Sequence, residues 1–213
     1  MKRILIVGAS SGIGKVLKAL LEEKGDVVIS FCRQTGVDVT LKEPPFPLIE
    51  GPLDGIVYCP GTINLKPFSS LTLDDFQKDL EVNLLGAIKV IQNYLKIVSQ
   101  GASIVLFSSV AARKGFIYHS SIASAKGAVE GFVHSFAQEM APKIRINAIA
   151  PSLTETPLST FLTSDPKKKE ISIKKHPLGR LGTAEDMANM AQYLLSDKAS
   201  FITGQVIGVD GGV

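Results

Sequence analysis

Short apolar runs alternating with helix-length segments constrain this chain more than any other feature. "RILIVGA" precedes "GIGKVLKALLEEKG", and "DVVISFC" is followed by a short "GVDVT". "LDGIVYC" leads to "TLDDFQKDLEVNLLGAIKVIQNYLKIV", and "ASIVLFSS" leads to a helix around Lys126. "IRINAIAP" and "GQVIGVDGG" follow. Runs rich in Val and Ile, apolar at nearly every position, predict strands covered on both faces, because a strand with one wet face alternates instead. Strands separated by helices predict βαβ units and one parallel sheet. The fold class expected is α/β, a doubly wound parallel sheet with helices on both faces, in a single domain over 1–213.

Two details modify that plan. "RQTG" leaves no room for a helix between "DVVISFC" and "GVDVT", and "EPPFPLIEGP" reads as a truncated crossover, so the first half of the sheet is trimmed. Residues 152–180, "SLTETPLSTFLTSDPKKKEISIKKHPLGR", are polar, basic and poorly periodic. A segment of that kind beyond a strand end is expected to serve as a substrate lid.

Composition excludes several classes. The apolar fraction of 45% and charged fraction of 20% are those of an ordinary globular protein. A net charge of +3 is too small for the basic face that nucleic acid demands. No apolar run approaches the roughly 20 residues that span a bilayer. "ILIV" near the start is shorter than the roughly 7–15 apolar residues of a secretory signal, so a cytoplasmic protein is expected. Its two cysteines, Cys32 and Cys59, each at the end of a strand, are then free thiols that pack as small hydrophobes. The histidines have no metal-ligand spacing, and no metal is expected.

"GASSGIG", residues 8–14, stands between the first strand and the first helix. Glycines there permit a tight turn and a close backbone approach to a diphosphate. The helix N-terminus adds free N–H groups and the positive end of a dipole. Gly8, Ser10, Ser11, Gly12, Ile13 and Gly14 are therefore expected at the phosphates of a dinucleotide in a Rossmann-type fold.

The spacing Gly8-x3-Gly12-x-Gly14 is wider than the usual dinucleotide fingerprint, and it resembles that of the short-chain dehydrogenase/reductase family. The resemblance runs on through almost the whole chain: "VDV" at 37–39, "CPG" at 59–61, "VNLLG", "FSSV", "SAKGAVEGF", "IRINAIAPSLTET", "PLGRLGTAEDMA" and "ITGQVIGVDGG". It implies hydride transfer between a nicotinamide cofactor and a carbonyl or alcohol substrate. It places Asp38 and Val39 at the adenine, and Cys59, Pro60 and Gly61 beneath the adenosine ribose and towards the nicotinamide. Pro151 and Thr156 fall over the nicotinamide. Lys126 holds the nicotinamide ribose, Ser109 orients the carbonyl and Asn83 supports a water relay. Where the family often has an acidic residue reading the adenosine ribose, this chain has Cys32 followed by Arg33. A guanidinium suits a 2′-phosphate by charge and geometry, so NADP(H) is expected over NAD(H).

The resemblance also exposes a gap. The family's proton donor is a tyrosine four residues before the lysine, on the same helical face. Here that position is Ile122, which has no proton to give. Tyr118 is a displaced candidate, His119 is another, and water held by Ser109 and Lys126 is a third; Ser120 or Ser121 is expected to cap the helix. Two readings besides reduction of a carbonyl stay open. One is a cofactor-binding protein with impaired catalysis, serving as a sensor or assembly partner; the other is an enoyl-reductase-like variant. Lys167, Lys168, Lys169, Lys174 and Lys175 in the expected lid suit either a solvated loop or an anionic substrate such as an acyl thioester. The helices at 74–98 and 121–140 are expected to pair across a two-fold axis into a homodimer or homotetramer.

Overall fold

The computed structural model describes residues 1–213. The chain runs β1 (Arg3–Val7), α1 (Gly12–Glu23), β2 (Val27–Phe31), β3 (Leu53–Tyr58), α2 (Leu73–Leu80), α3 (Gly86–Tyr94), β4 (Val98–Phe107), a short α4 (Ala111–Lys114), α5 (Ser120–Met140) and β5 (Ile144–Pro151). It continues through β6 (Thr154–Glu155), α6 (Thr160–Thr163), α7 (Pro166–Lys174), β7 (Gly182–Thr183) and α8 (Ala184–Leu195) to β8 (Val206–Val209). Six strands form one parallel sheet in the order β2-β1-β3-β4-β5-β8, and β6 pairs with β7 in a separate two-residue ribbon.

Side-chain alternation along the strands divides the core into two layers. Ile4 and Ile6 of β1 join Leu17 and Leu21 of α1 and Met187, Ala188, Ala191 and Leu194 of α8. Leu5 and Val7 point the other way, towards Val90 and Ile91 of α3 and Val129, Val133 and Ala137 of α5. The i, i+4 spacing of Leu17 and Leu21, and of Val129, Val133 and Ala137, gives each helix one buried stripe. Each fully buried Leu, Ile or Val contributes roughly 1.5–3 kcal/mol, so wetting either face of the sheet would be prohibitive.

The trimmed edge departs from the strand-like look of "GVDVT". Residues 36–40 form a turn, because the Asp38 carboxylate accepts hydrogen bonds from the Thr40 amide (2.9 Å) and hydroxyl (2.7 Å). Such a side-chain-closed turn competes with extended pairing. Val37 and Val39 are buried beside it as plugs. The Pro-rich segment then covers the layer where a longer crossover would lie. Phe46 packs against Phe31 and Tyr94 with ring centroids 5.8 and 6.0 Å away, and the Tyr94 hydroxyl donates to the Pro47 carbonyl at 2.8 Å.

The helix expected over 74–98 is not uniform. A wide π turn over Glu81–Leu85 separates α2 from α3. Neither Ser120 nor Ser121 caps α5: His119 occupies that position, and both serines lie in the first turn. The segment 152–180 carries more regular structure than its poor periodicity suggests. Asp165 caps α7 by accepting from the Lys167 amide at 2.9 Å, with Pro166 at the first helical position.

Candidate active site

The chain leaves β1 towards β2 on one side and returns to β3 on the other. This reversal opens a crevice beyond the carboxyl ends of β1 and β3, the place where open α/β sheets bind ligands. A cleft of about 420 Å³ occupies it. Among residues expected at a dinucleotide, Gly8, Ser10, Ser11, Gly12, Ile13, Gly14, Arg33, Asp38, Val39, Cys59, Pro60, Gly61 and Thr156 line this cleft. Lys126 lies beneath its floor rather than in its wall, and Pro151 ends β5 paired with Val209 of β8. Both cysteines are free and line the cleft; Cys59 also packs against the core layer of β1, α1 and α8 as a small hydrophobe, whereas Cys32 is only half-buried in the cleft wall.

Two glycines explain why the loop can form. Gly8 has φ +85°, a backbone state that L side chains avoid, and a Cβ there would also press on Pro60 at 3.1 Å. Gly14 sits inside α1, where a Cβ would lie 2.5 Å from the Gly8 carbonyl oxygen. The helix therefore approaches the loop more closely than any other residue would permit. No side chain caps the N-terminus of α1, and no acidic residue lies in its first turn. Its free amides can thus receive the diphosphate of a dinucleotide.

Below the cleft lies a buried polar cluster. Lys126 is 8% exposed, and its Nζ donates to the Phe107 carbonyl at the end of β4 over 2.7 Å. Burial pulls this ammonium down to about 8, while Asp79 and Cys59 draw it the other way. Asp79, 2% exposed, accepts from the hydroxyls of Thr62 and Ser121, each at 2.5 Å. Asn83, in the middle of the π turn, donates through Nδ2 to the Asp79 carbonyl and to Thr62 Oγ1, both at 2.8 Å. Its Oδ1 is buried without a hydrogen-bond partner. A Cβ on Gly61 would lie 3.3 Å from Asn83 Oδ1 and 3.8 Å from Lys126 Nζ. The amide oxygen and the ammonium thus converge under the cleft floor, a constellation that fits a bound dinucleotide whose hydroxyls need such partners.

Ser109 stands two residues beyond β4, where its Oγ accepts from the Ala111 amide at 3.2 Å. Phe107, to which Lys126 is anchored, is also two residues away. Ile122 is buried at 5% exposure. The displaced acids lie elsewhere. Tyr118 is 54% exposed on a turn with φ +69°, and its hydroxyl makes no hydrogen bond. His119 Nδ1 donates to the Ile117 carbonyl at 2.8 Å, and its ring meets Phe116 edge-on. Neither side chain bonds to Ser109 or Lys126.

Sequence reading missed Asp79, Thr62 and Ser121. The signal was present: Asp79 stands one helical turn before Asn83, an acid on the inner face of an otherwise amphipathic helix. Of the five lysines that suit a solvated loop or an anionic substrate, two are taken up by carboxylates. Lys169 pairs with Glu155, and Lys174 pairs with Glu170 within α7.

The fold has many counterparts. The family model described as enoyl-(acyl carrier protein) reductase matches residues 49–213. The L-xylulose reductase of Bos taurus is 32% identical over 99% of this chain and 96% of its own length. The 3-oxoacyl-(acyl-carrier-protein) reductase of Thermotoga maritima is 33% identical over 100% of this chain and 97% of its own. A small-chain dehydrogenase solved in complex with NADPH superimposes with a TM-score of 0.88, at 26% identity over 99% of this chain and 97% of that one. Full-length similarity at this level, on a parallel sheet with the cleft at its switch point, fixes the assignment: the chain belongs to the short-chain dehydrogenase/reductase family of oxidoreductases, which move a hydride to or from a nicotinamide cofactor.

Proposed function

We propose that the protein reduces a small-molecule carbonyl with NADP(H) held across the cleft. When bound, the nicotinamide supplies the hydride. The free amides of α1 and the loop Gly8–Gly14 hold the diphosphate, Asp38 and Val39 the adenine, and Cys59, Pro60 and Gly61 the floor. Lys126 holds the nicotinamide ribose, with Pro151 and Thr156 over the ring. Ser109 orients the carbonyl oxygen, and Asn83 Oδ1 receives a water or hydroxyl. The segment 152–180 closes over the substrate. An acyl thioester is one substrate the reading allows, by analogy with the Thermotoga maritima relative, and assembly as a homodimer or homotetramer accompanies it.

The observation that carries the cofactor choice is Arg33. It lines the cleft, is exposed, and its guanidinium makes no ion pair or hydrogen bond within the chain. A free guanidinium beside an adenosine site suits a 2′-phosphate, which it can bind through two parallel hydrogen bonds. Calorimetric titration tests this. NADPH should bind at least tenfold more tightly than NADH, and Arg33→Ser should abolish the difference by weakening NADPH alone. Equal affinities in the unaltered protein would overturn the choice.

Ile122 favours a second reading. Because no acid stands at that place, the protein could bind NADP(H) with little turnover and act as a sensor or assembly partner. Tight NADPH binding without consumption by a panel of ketones, aldehydes and acyl thioesters supports it.

A further inference from the structure

Asp79 is a buried carboxylate to which the proposed reaction assigns no role. It is set between α2, α5 and the loop after β3. A carboxylate removed from water needs an opposite charge or several hydrogen bonds. Asp79 has both kinds of support. Ser121 Oγ and Thr62 Oγ1 donate to its two oxygens, and Lys126, on the neighbouring α5, is the one Lys or Arg buried in the protein, as Asp79 is its one buried carboxylate. Thr62 also lines the cleft and accepts from Asn83 Nδ2. One continuous set of hydrogen bonds therefore joins the cleft wall to Asp79 and to the amide whose free oxygen converges with Lys126 Nζ on Gly61.

From this arrangement we infer that Asp79 is a positioning residue for the reaction: the buried counter-charge that keeps Lys126 protonated, coupled to the cleft through the Thr62 hydroxyl. The inference rests on the reading of Lys126 as the ribose-holding residue. Its importance here follows from Ile122. Without a tyrosine, the Lys126 ammonium is the only acidic proton source in the buried cluster. When a carbonyl carbon accepts hydride from a reduced nicotinamide, its oxygen must take one proton. If that proton is drawn from the ammonium, the neutral amine left behind regains one from water at the cleft. The Asp79 carboxylate favours that return. Its field acts on Lys126 with little screening, because both groups are shielded from solvent.

Other titratable groups around Lys126 are already engaged or silent. The Cys59 thiol is pushed up to about 12 by burial and is neutral at ordinary pH. Asp75, one turn before Asp79, is taken up by Lys66 at 2.6 Å and by Thr72. Glu130, one turn after Lys126 on α5, accepts from Ser108 at 2.7 Å and Arg113 at 3.2 Å. Asp79 is left as the one carboxylate inside the cluster.

The test is a pH titration of the cofactor-free protein with 13Cε-labelled lysine, in which loss of one resonance in Lys126→Met identifies Lys126. In the unaltered protein that resonance should titrate near pH 8. In Asp79→Asn, which keeps the shape and removes the charge, the midpoint should fall by about one unit or more. Ser121→Ala, which leaves the carboxylate in place, should move it far less. An unchanged midpoint in a folded Asp79→Asn protein overturns the inference. Should that variant not fold, the carboxyl 13C shift of Asp79 in the unaltered protein decides: an ionised group from pH 6 to 9 supports the counter-charge, and a protonated one overturns it. Failure of NADPH to bind would sink the cofactor reading instead, and the cofactor-free titration would still judge Asp79.

Discussion

Lys126 Nζ donates to the Phe107 carbonyl over 2.7 Å, which pins the long helix α5 to the last residue of β4 directly beneath the cleft. The ammonium is held where water cannot solvate it, and burial lowers it from its ordinary value of 10.5 to about 8. Between those two values the unfolded chain binds more protons than the folded one, so folding stability gains with rising pH. Below about 8 both states carry the charge, and the folded protein bears the full cost of burying it. We predict that the stability of the unaltered protein relative to Lys126→Met rises between pH 8 and 10, measured by urea denaturation. A flat difference would show that the lysine is solvated.

Gly14→Ala tests the close approach of α1 to the glycine loop. The added Cβ would fall 2.5 Å from the Gly8 carbonyl oxygen, a backbone atom that cannot rotate away. Relief requires α1 to shift off the loop, and overpacking of this kind costs about 1–3 kcal/mol. The same shift moves the helix amides that meet the diphosphate. We therefore expect a lower urea midpoint together with at least tenfold weaker NADPH binding. Lost stability with unchanged affinity would separate the helix from the phosphate site.

How far the site was legible in the sequence depended on whether its residues were neighbours in the chain. The strands and the glycine loop could be read from local pattern, because parallel strands buried on both faces are apolar throughout and their ends are marked by turn residues, whereas Cys59, Pro60 and Gly61 were placed at the cofactor only by the family resemblance. "GVDVT" misled, since Val37 and Val39 are apolar as plugs rather than as strand residues, and only the Asp38 side chain closing on Thr40 reveals the turn. Phe46 and Tyr94 meet across 48 residues, so the Pro-rich cover gave no local sign of its partners. The same holds for Asp79. Its partners Thr62 and Ser121 lie 17 and 42 residues away, and a single acid in an amphipathic helix reads as surface until the fold turns it inwards. Ser121 looked like a cap because serine often is one, but here its hydroxyl is spent on Asp79.

Ile122→Tyr addresses the gap in the site directly. Ile122 is buried on α5 one turn before Lys126, so a tyrosine there would project along the same face as the ammonium. Asn83, Ser109 and Lys126 are all present, while Tyr118 and His119 sit on a turn with no hydrogen bond to either Ser109 or Lys126. The ring is larger than the side chain it replaces, and the variant should lose about 1–3 kcal/mol through overpacking. A positioned acid contributes typically 10²–10⁴-fold to such a reaction. We predict that Ile122→Tyr raises NADPH-dependent reduction of a small ketone by about 10²-fold or more, with NADPH affinity nearly unchanged. A fall in turnover instead would mean that a group already in place delivers the proton and that the tyrosine obstructs it. Comparison with Ile122→Phe separates the two effects, because phenylalanine brings the same bulk without the hydroxyl. A gain seen only with tyrosine assigns the deficit to the missing proton, and an equal loss in both variants assigns it to crowding.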